Sequence, residues 1–154
     1  MPKLDLEAIE LVSSTGYPEP FDRVVAGRWY RRLAPPGGLT RMGASHVVLK
    51  PGAWSSQRHW HHGEDELLVM LSGEAVLIED GGRTELRAGD VCAWPEGTEN
   101  GHHLVNESEF DCIFVAISAG TDQGGEYSDI DMCWTADGTY RHKDDSPYDA
   151  GRLK

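Results

Sequence analysis

The sequence predicts an all-β fold, a sandwich or barrel of short strands. Through the middle of the chain, runs of alternating or apolar character recur at intervals of about 8–12 residues, the spacing of such folds. The 18 glycines and 8 prolines fall between these runs as breakers. No stretch carries the roughly 3.6-residue apolar period of a long helix.

Taken in order, the first strand is Ser45 to Lys50, a β-prone run stopped by Pro51-Gly52. Trp54 to His61 reads as a second. Glu66 to Ser72 (ELLVMLS) is apolar and broken by Gly73, after which Glu74 to Glu79 (EAVLIE) continues as another strand. Asp80-Gly81-Gly82 is a hairpin signal, followed by Thr84 to Arg87, a turn at Ala88-Gly89-Asp90, and the strand Val91 to Trp94. A loop at Pro95-Glu96-Gly97 leads to strands near His102–Asn106 and Phe110–Ser118.

The flanks read differently. Tyr17-Pro18-Glu19-Pro20 and Pro35-Pro36-Gly37-Gly38 favour an extended N-terminal arm over residues 1–40, and acids accumulate in a C-terminal arm over residues 120–154. Between them lies a barrel core over residues 41–119, the whole forming one domain of 154 residues. Asp129-Ile130-Asp131 opens like a calcium loop, but Cys133 stands at the next ligand position and the pattern fails.

Charge narrows the partners. Lys+Arg 14 against Asp+Glu 26 gives a net charge of −12, the wrong sign for binding nucleic-acid phosphates or an anionic membrane surface. No run approaches the roughly 18 apolar residues of a membrane span. Three cysteines without Cys-x-x-Cys spacing fit free thiols, so a cytoplasmic location is expected. The nucleophile elbow, the phosphate-binding Gly-rich loop and the dinucleotide fingerprint are all missing.

Chemistry concentrates in two segments. His59 and His61 stand two apart in an expected strand, so both imidazoles point to one side, and Glu66 returns on the next strand to the same place. Two imidazoles and a carboxylate form a donor set for a divalent transition metal. In the later segment, Gly89-Asp90-Val91-Cys92-Ala93-Trp94-Pro95-Glu96-Gly97 leads to His102, His103 and Asn106. By parity, Gln57 joins His59 and His61, Met70 joins Glu66, and Leu104 and Asn106 join His102. The expected pocket wall is therefore mostly apolar, with Gln57 as a polar tether. No motif-linked Arg or Lys points at the metal; Arg28, Arg31, Arg32 and Arg41 of the N-terminal region read as surface charge, with a cationic clamp supplied from that arm as the alternative. Glu64 and Asp65 read as a solvated acidic turn, with a base beside Glu66 as the alternative.

These residues resemble the two motifs of the cupin superfamily. Gly52, His59, His61, Glu66 and Gly73 fall on the first, with one extra residue before His59. Gly89, Pro95, Gly97, His102 and Asn106 fall on the second, with a lengthened loop before the histidine. Counting forward from Gly97 reaches Asn100, counting back from Asn106 selects His102, and a bulge would select His103. The resemblance implies a single-domain cupin β-barrel, a jelly roll of two sheets. It further implies one divalent transition metal (Fe, Mn, Ni, Cu, Co or Zn) held by His59, His61, Glu66 and His102, or by His103 in place of His102. It also implies a small-molecule ligand and a homodimer in which the N-terminal arm adds to a neighbouring sheet. The implied activities are isomerisation of a sugar-like hydroxy-carbonyl compound, oxygenation or decarboxylation, with non-catalytic binding or storage as the alternative.

Overall fold

The strand-forming runs pair into three antiparallel sheets in the computed structural model, which describes residues 3–148. Two three-residue 3-10 turns, Leu6–Ala8 and Arg23–Val25, are the helical elements among the described residues. The strands are β1 (Arg28–Arg32), β2 (Met42–Leu49), β3 (His59–His61), β4 (Glu64–Ser72), β5 (Glu74–Glu79) and β6 (Gly82–Arg87). They continue with β7 (Val91–Trp94), β8 (His103–Val105), β9 (Cys112–Gly120), β10 (Gly125–Tyr127), β11 (Cys133–Trp134) and β12 (Tyr140–Arg141).

The largest sheet runs β1-β2-β9-β4-β7; it faces a three-stranded sheet β6-β5-β8, and a third sheet, β12-β11-β10-β3, closes one side. Alternation sets what lies between them. Val47 and Leu49 of β2, Leu68 and Met70 of β4, and Cys112 and Phe114 of β9 point inward, meeting Ala75 and Leu77 of β5, Leu86 of β6 and Leu104 of β8 in one core. The alternate residues of the large sheet, among them Val48, Leu67, Val69, Val115 and Ile117, point outward.

Gly73 joins β4 to β5 at φ 72°, a conformation that favours glycine, and a Cβ there would lie 2.5 Å from the Asp111 carbonyl. The two-residue loop Asp80-Gly81 closes the β5–β6 hairpin, with Glu79 paired to Gly82.

The expected strand Trp54–His61 is interrupted. Trp54 bridges Val105, its N–H donates to the Val24 carbonyl, and Ser55 N–H donates to the Leu104 carbonyl; regular pairing resumes only at His59. Both arms carry strands. β1 pairs with β2 of its own chain, from Arg28↔Leu49 to Arg32↔Ser45, and forms an edge of the large sheet. In the C-terminal arm, β10 pairs with β3, and Tyr127, Met132 and Trp134 form a second core with Tyr17, Phe21, Tyr140 and Tyr148. The acids there serve turns and ion pairs: Asp129 binds Arg58, Asp131 accepts from Lys143 N–H and lies 2.9 Å from His142, and Asp137 accepts from Thr139 N–H.

Candidate metal centre

β3 and β4 are consecutive, so two residues of the first and one near the start of the second meet at one end of the barrel. One ligand atom each from His59, His61 and Glu66 lies within 4.8 Å of the others. That spacing is short enough for a single ion to reach all three.

His59 is oriented from behind, and His61 sits between two carboxylates. His59 Nδ1 lies 2.9 Å from the Gln57 carbonyl and 3.2 Å from Ser56 Oγ. Donation to the carbonyl fixes the tautomer and leaves Nε2 as the free lone pair, the form that ligates. Burial lowers the His59 pKa to about 4 against the opposing pull of Glu66, so the ring is neutral near pH 7. His61 Nδ1 lies 3.2 Å from Glu64 Oε2, and Nε2 lies 3.3 Å from Glu66 Oε1. Both ring nitrogens are buried and neither is aligned for a hydrogen bond. Burial works to lower the His61 pKa, but Glu64 and Glu66 outweigh it and raise it to about 9. Burial would raise the Glu66 pKa, yet His102 and His61 hold this carboxyl well below the usual carboxylate range. A buried imidazole nitrogen without an aligned partner, beside a carboxylate kept anionic, suits a divalent cation better than it suits the chain alone. The donor set fits the metal that the sequence implies.

His102 completes the group at Glu66. Its Nε2 lies 2.7 Å from Glu66 Oε2, and its ring stacks on Trp94 at 3.9 Å between centroids. The lengthened loop explains the offset in spacing. Asn100 Nδ2 donates to Glu79 Oε1 and Asn100 Oδ1 accepts from Asp80 N–H, so Asn100 ties the loop to the β5–β6 hairpin and His102 turns to the site. His103 Nδ1 lies 3.0 Å from the Ser56 carbonyl and its ring meets the edge of Trp54.

The centre opens on a cavity of about 650 Å3. Leu104 lines it, with Leu68, Phe114, Trp94 and both His102 and His103. Three residues expected on its wall lie elsewhere. Gln57 turns away because the strand is broken before it: its Nε2 donates to the Phe21 carbonyl and its N–H to Tyr17 Oη. Met70 sits deeper along β4, in the closed core. Asn106 is fully buried and bonded to the Leu49 and Phe110 carbonyls. Glu64, expected in a solvated turn, is only 18% exposed against His61, while Asp65 accepts from Glu96 N–H.

Arg28, Tyr30 and Arg32 alternate along β1 and face the cavity, as does Tyr17, so two of the four N-terminal arginines are wall residues where surface charge was the expected reading, and the wall is less apolar than expected. The alternation in Arg28-Trp29-Tyr30-Arg31-Arg32 was the available signal, masked by its three arginines. Trp134 meets His59 at 5.7 Å and His61 at 5.1 Å between centroids, walling the centre from the C-terminal side.

Residues 45–118 match the family model described as Cupin domain. A solved structure from Silicibacter pomeroyi, described as a sugar phosphate isomerase from a cupin superfamily, is 37% identical over 99% of this chain and 100% of its own, with a TM-score of 0.90. The chain belongs to the cupin superfamily. The chain is also 36% identical over 73 residues to the oxalate-binding protein of Thermotoga maritima, a match covering 47% of this chain and 58% of that protein. A Thermotoga maritima structure described as a predicted oxalate decarboxylase is 25% identical, with a TM-score of 0.54 over 60% of this cupin and 80% of that one. All four centre residues, His59, His61, Glu66 and His102, fall inside the matched segment, whereas Tyr17, Arg28, Tyr30 and Arg32 precede it.

Proposed function

We propose that this cupin is a metal-dependent isomerase of a small hydroxy-carbonyl compound of the sugar type. The observation that carries the reading is the convergence of His59, His61 and Glu66 on the wall of a cavity large enough for such a molecule. The full-length likeness to a protein described as a sugar phosphate isomerase supports it. His59, His61 and Glu66 hold the ion, one of Mn, Fe, Ni, Cu, Co or Zn, with His102 as the fourth ligand. A divalent ion held there would supply Lewis-acid polarisation of a substrate carbonyl. The chain supplies the rest. Burial pushes the Tyr17 hydroxyl up to about 12, so it keeps its proton and donates a hydrogen bond to a substrate oxygen. Trp94 and Trp134 exclude water around the histidines. Such an isomerisation is redox-neutral, one carbon being oxidised as its neighbour is reduced, so no external oxidant is needed.

The test combines two measurements on untagged protein purified without chelator. Elemental mass spectrometry is expected to find near-stoichiometric metal, lost in the His59→Ala/His61→Ala variant. A panel of aldoses and ketoses in D2O, followed by proton NMR, is expected to show deuterium entering beside the carbonyl of one member. A parent that stays empty on reconstitution overturns the reading. The partial match to an oxalate-binding protein favours a second reading, binding without turnover; a loaded protein that exchanges no substrate proton supports that one.

A cytoplasmic home suits Cys92, Cys112 and Cys133, which are free thiols. Two copies pairing through the outer face of the large sheet would cover Leu67, Leu71 and Val91, which are 37%, 47% and 58% exposed. Light scattering at micromolar concentration tests this, and a monomer refutes it.

A further inference from the structure

The arginines of β1 bear on what occupies the far side of the cavity. Among the described residues, Arg23, Arg31, Arg58, Arg83, Arg87 and Arg141 each lie within 4.0 Å of a carboxylate. Arg28, Arg32 and Arg41 do not, in a chain whose acids outnumber its bases by 12. Two of these three, Arg28 and Arg32, line the cavity that also holds His59, His61 and Glu66. Cationic side chains facing a concave site without an acid beside them leave their charge for something that enters it.

Arg28 is held without being neutralised. Its Nη1 donates to the Ser55 carbonyl at 2.9 Å and its Nη2 to the Ser14 carbonyl at 3.4 Å, both uncharged acceptors, while its Nε is buried with no partner. The guanidinium lies 5.4 Å from the centre of the Tyr30 ring. Arg32 stands on the other side of Tyr30 on the same face of β1 and is exposed at the cavity mouth. With a rise of about 3.3 Å per residue, each arginine starts roughly 7 Å from Tyr30 along the strand, so an anion resting over Tyr30 is within reach of both side chains.

We propose that Arg28 and Arg32 form an anion subsite for a phosphate monoester, the far end of a substrate whose reacting carbonyl lies at His59, His61 and Glu66. This rests on the isomerase reading for what happens at the other end of the cavity, though the subsite itself is built from β1 alone. Phosphate is favoured over carboxylate by charge: two guanidiniums match the roughly −1.5 to −2 charge of a phosphate monoester near neutral pH, and a carboxylate brings half of that. Arginine's planar fork also suits phosphate oxygens in pairs.

Inorganic phosphate and acetate serve as probes, titrated calorimetrically at matched ionic strength into the protein as purified and after removal of metal with EDTA. Phosphate is expected to bind the metal-stripped protein more tightly than acetate. Arg32→Ala, an exposed position, should weaken phosphate by about tenfold, the size of one charge-assisted contact, with its melting temperature unchanged. Arg28→Lys should weaken it several-fold, since the charge stays and the fork is lost. Arg41→Ala removes the same charge away from the cavity and should leave binding as it was. Equal losses in Arg41→Ala and Arg32→Ala would reduce the effect to overall charge and overturn the subsite, as would phosphate binding that ignores Arg32 or fails to appear. Acetate binding as tightly as phosphate would overturn the monoester assignment. Because the stripped protein is used, Arg32-dependent phosphate binding in a chain that holds no metal retires the isomerase reading and leaves the subsite standing.

Discussion

Replacing Asn106 with alanine separates a structural role from a ligand-contacting one. Its side chain is fully buried and makes four hydrogen bonds: Nδ2 donates to the Leu49 and Phe110 carbonyls at 2.8 and 2.7 Å, and Oδ1 accepts from Ser108 N–H and Oγ at 3.0 and 2.8 Å. Leu49 itself is 0% exposed, so its carbonyl has no water to turn to and losing that bond costs about 1–3 kcal/mol. The other three lie nearer the surface and are worth about 0.5–1 kcal/mol each once water replaces the partner. A loss of about 2.5–6 kcal/mol is expected, which for a chain of this size lowers the melting temperature by roughly 5–24 °C. Urea unfolding followed by tryptophan fluorescence reads the loss directly, and metal content read below the new midpoint should match the parent. An unchanged midpoint with weakened ligand or metal binding would refute the structural assignment and return Asn106 to the site.

Four further outcomes are expected. Glu66→Gln should lower metal occupancy in elemental analysis while the far-UV spectrum stays that of the parent; full occupancy would remove Glu66 from the ligand set. Glu64→Gln, which removes the carboxylate behind His61, should weaken metal affinity by about 10–100-fold in a chelator competition. In the metal-free protein, stability should peak near pH 6.5. The folded pKa of His59 is lowered to about 4, so its contribution is present above 6.5 and fades as pH falls through 4; that of His61 is raised to about 9, so its contribution is present below 6.5 and fades as pH rises through 9. Thermal melts across that range check the shape, and a monotonic curve would contradict it. Gly125→Ala would drive a Cβ into the Trp60 carbonyl and the Trp134 ring. The backbone carbonyl cannot yield, so a destabilisation of about 1–3 kcal/mol and loss of the β10–β3 pairing are expected, visible as faster amide exchange at His59 and His61.

The parts of the site that were legible in the sequence are those governed by local period. His59, His61 and Glu66 meet because a two-residue alternation and a tight reversal hold over those positions, and the barrel strands from Glu74 to Trp94 follow from glycine breaks and apolar runs. Gln57 was misplaced by the same rule, because residues 55–58 bend and the Ser56 and Gln57 carbonyls serve histidine rings. Tyr17 reaches Gln57 across 40 residues of chain, a contact with no local signature. β1 was hidden because a strand whose inward residues are Arg28, Tyr30 and Arg32 lacks the apolar alternation that reveals buried strands.

The division of the cavity between two stretches of chain has a further consequence. The candidate ligands His59, His61, Glu66 and His102 sit within the matched segment, and the residues facing them across the cavity arrive with the N-terminal segment that pairs along β2. The two halves can therefore be inherited separately. A relative that keeps the core and replaces the first forty or so residues retains the same cluster of candidate ligands while presenting a different counterpart, so likeness confined to the core carries the donor set and stays silent on the molecule that faces it. Grafting β1 from one such protein to another, with its register on β2 preserved, is the shortest route to exchanging what the barrel accepts.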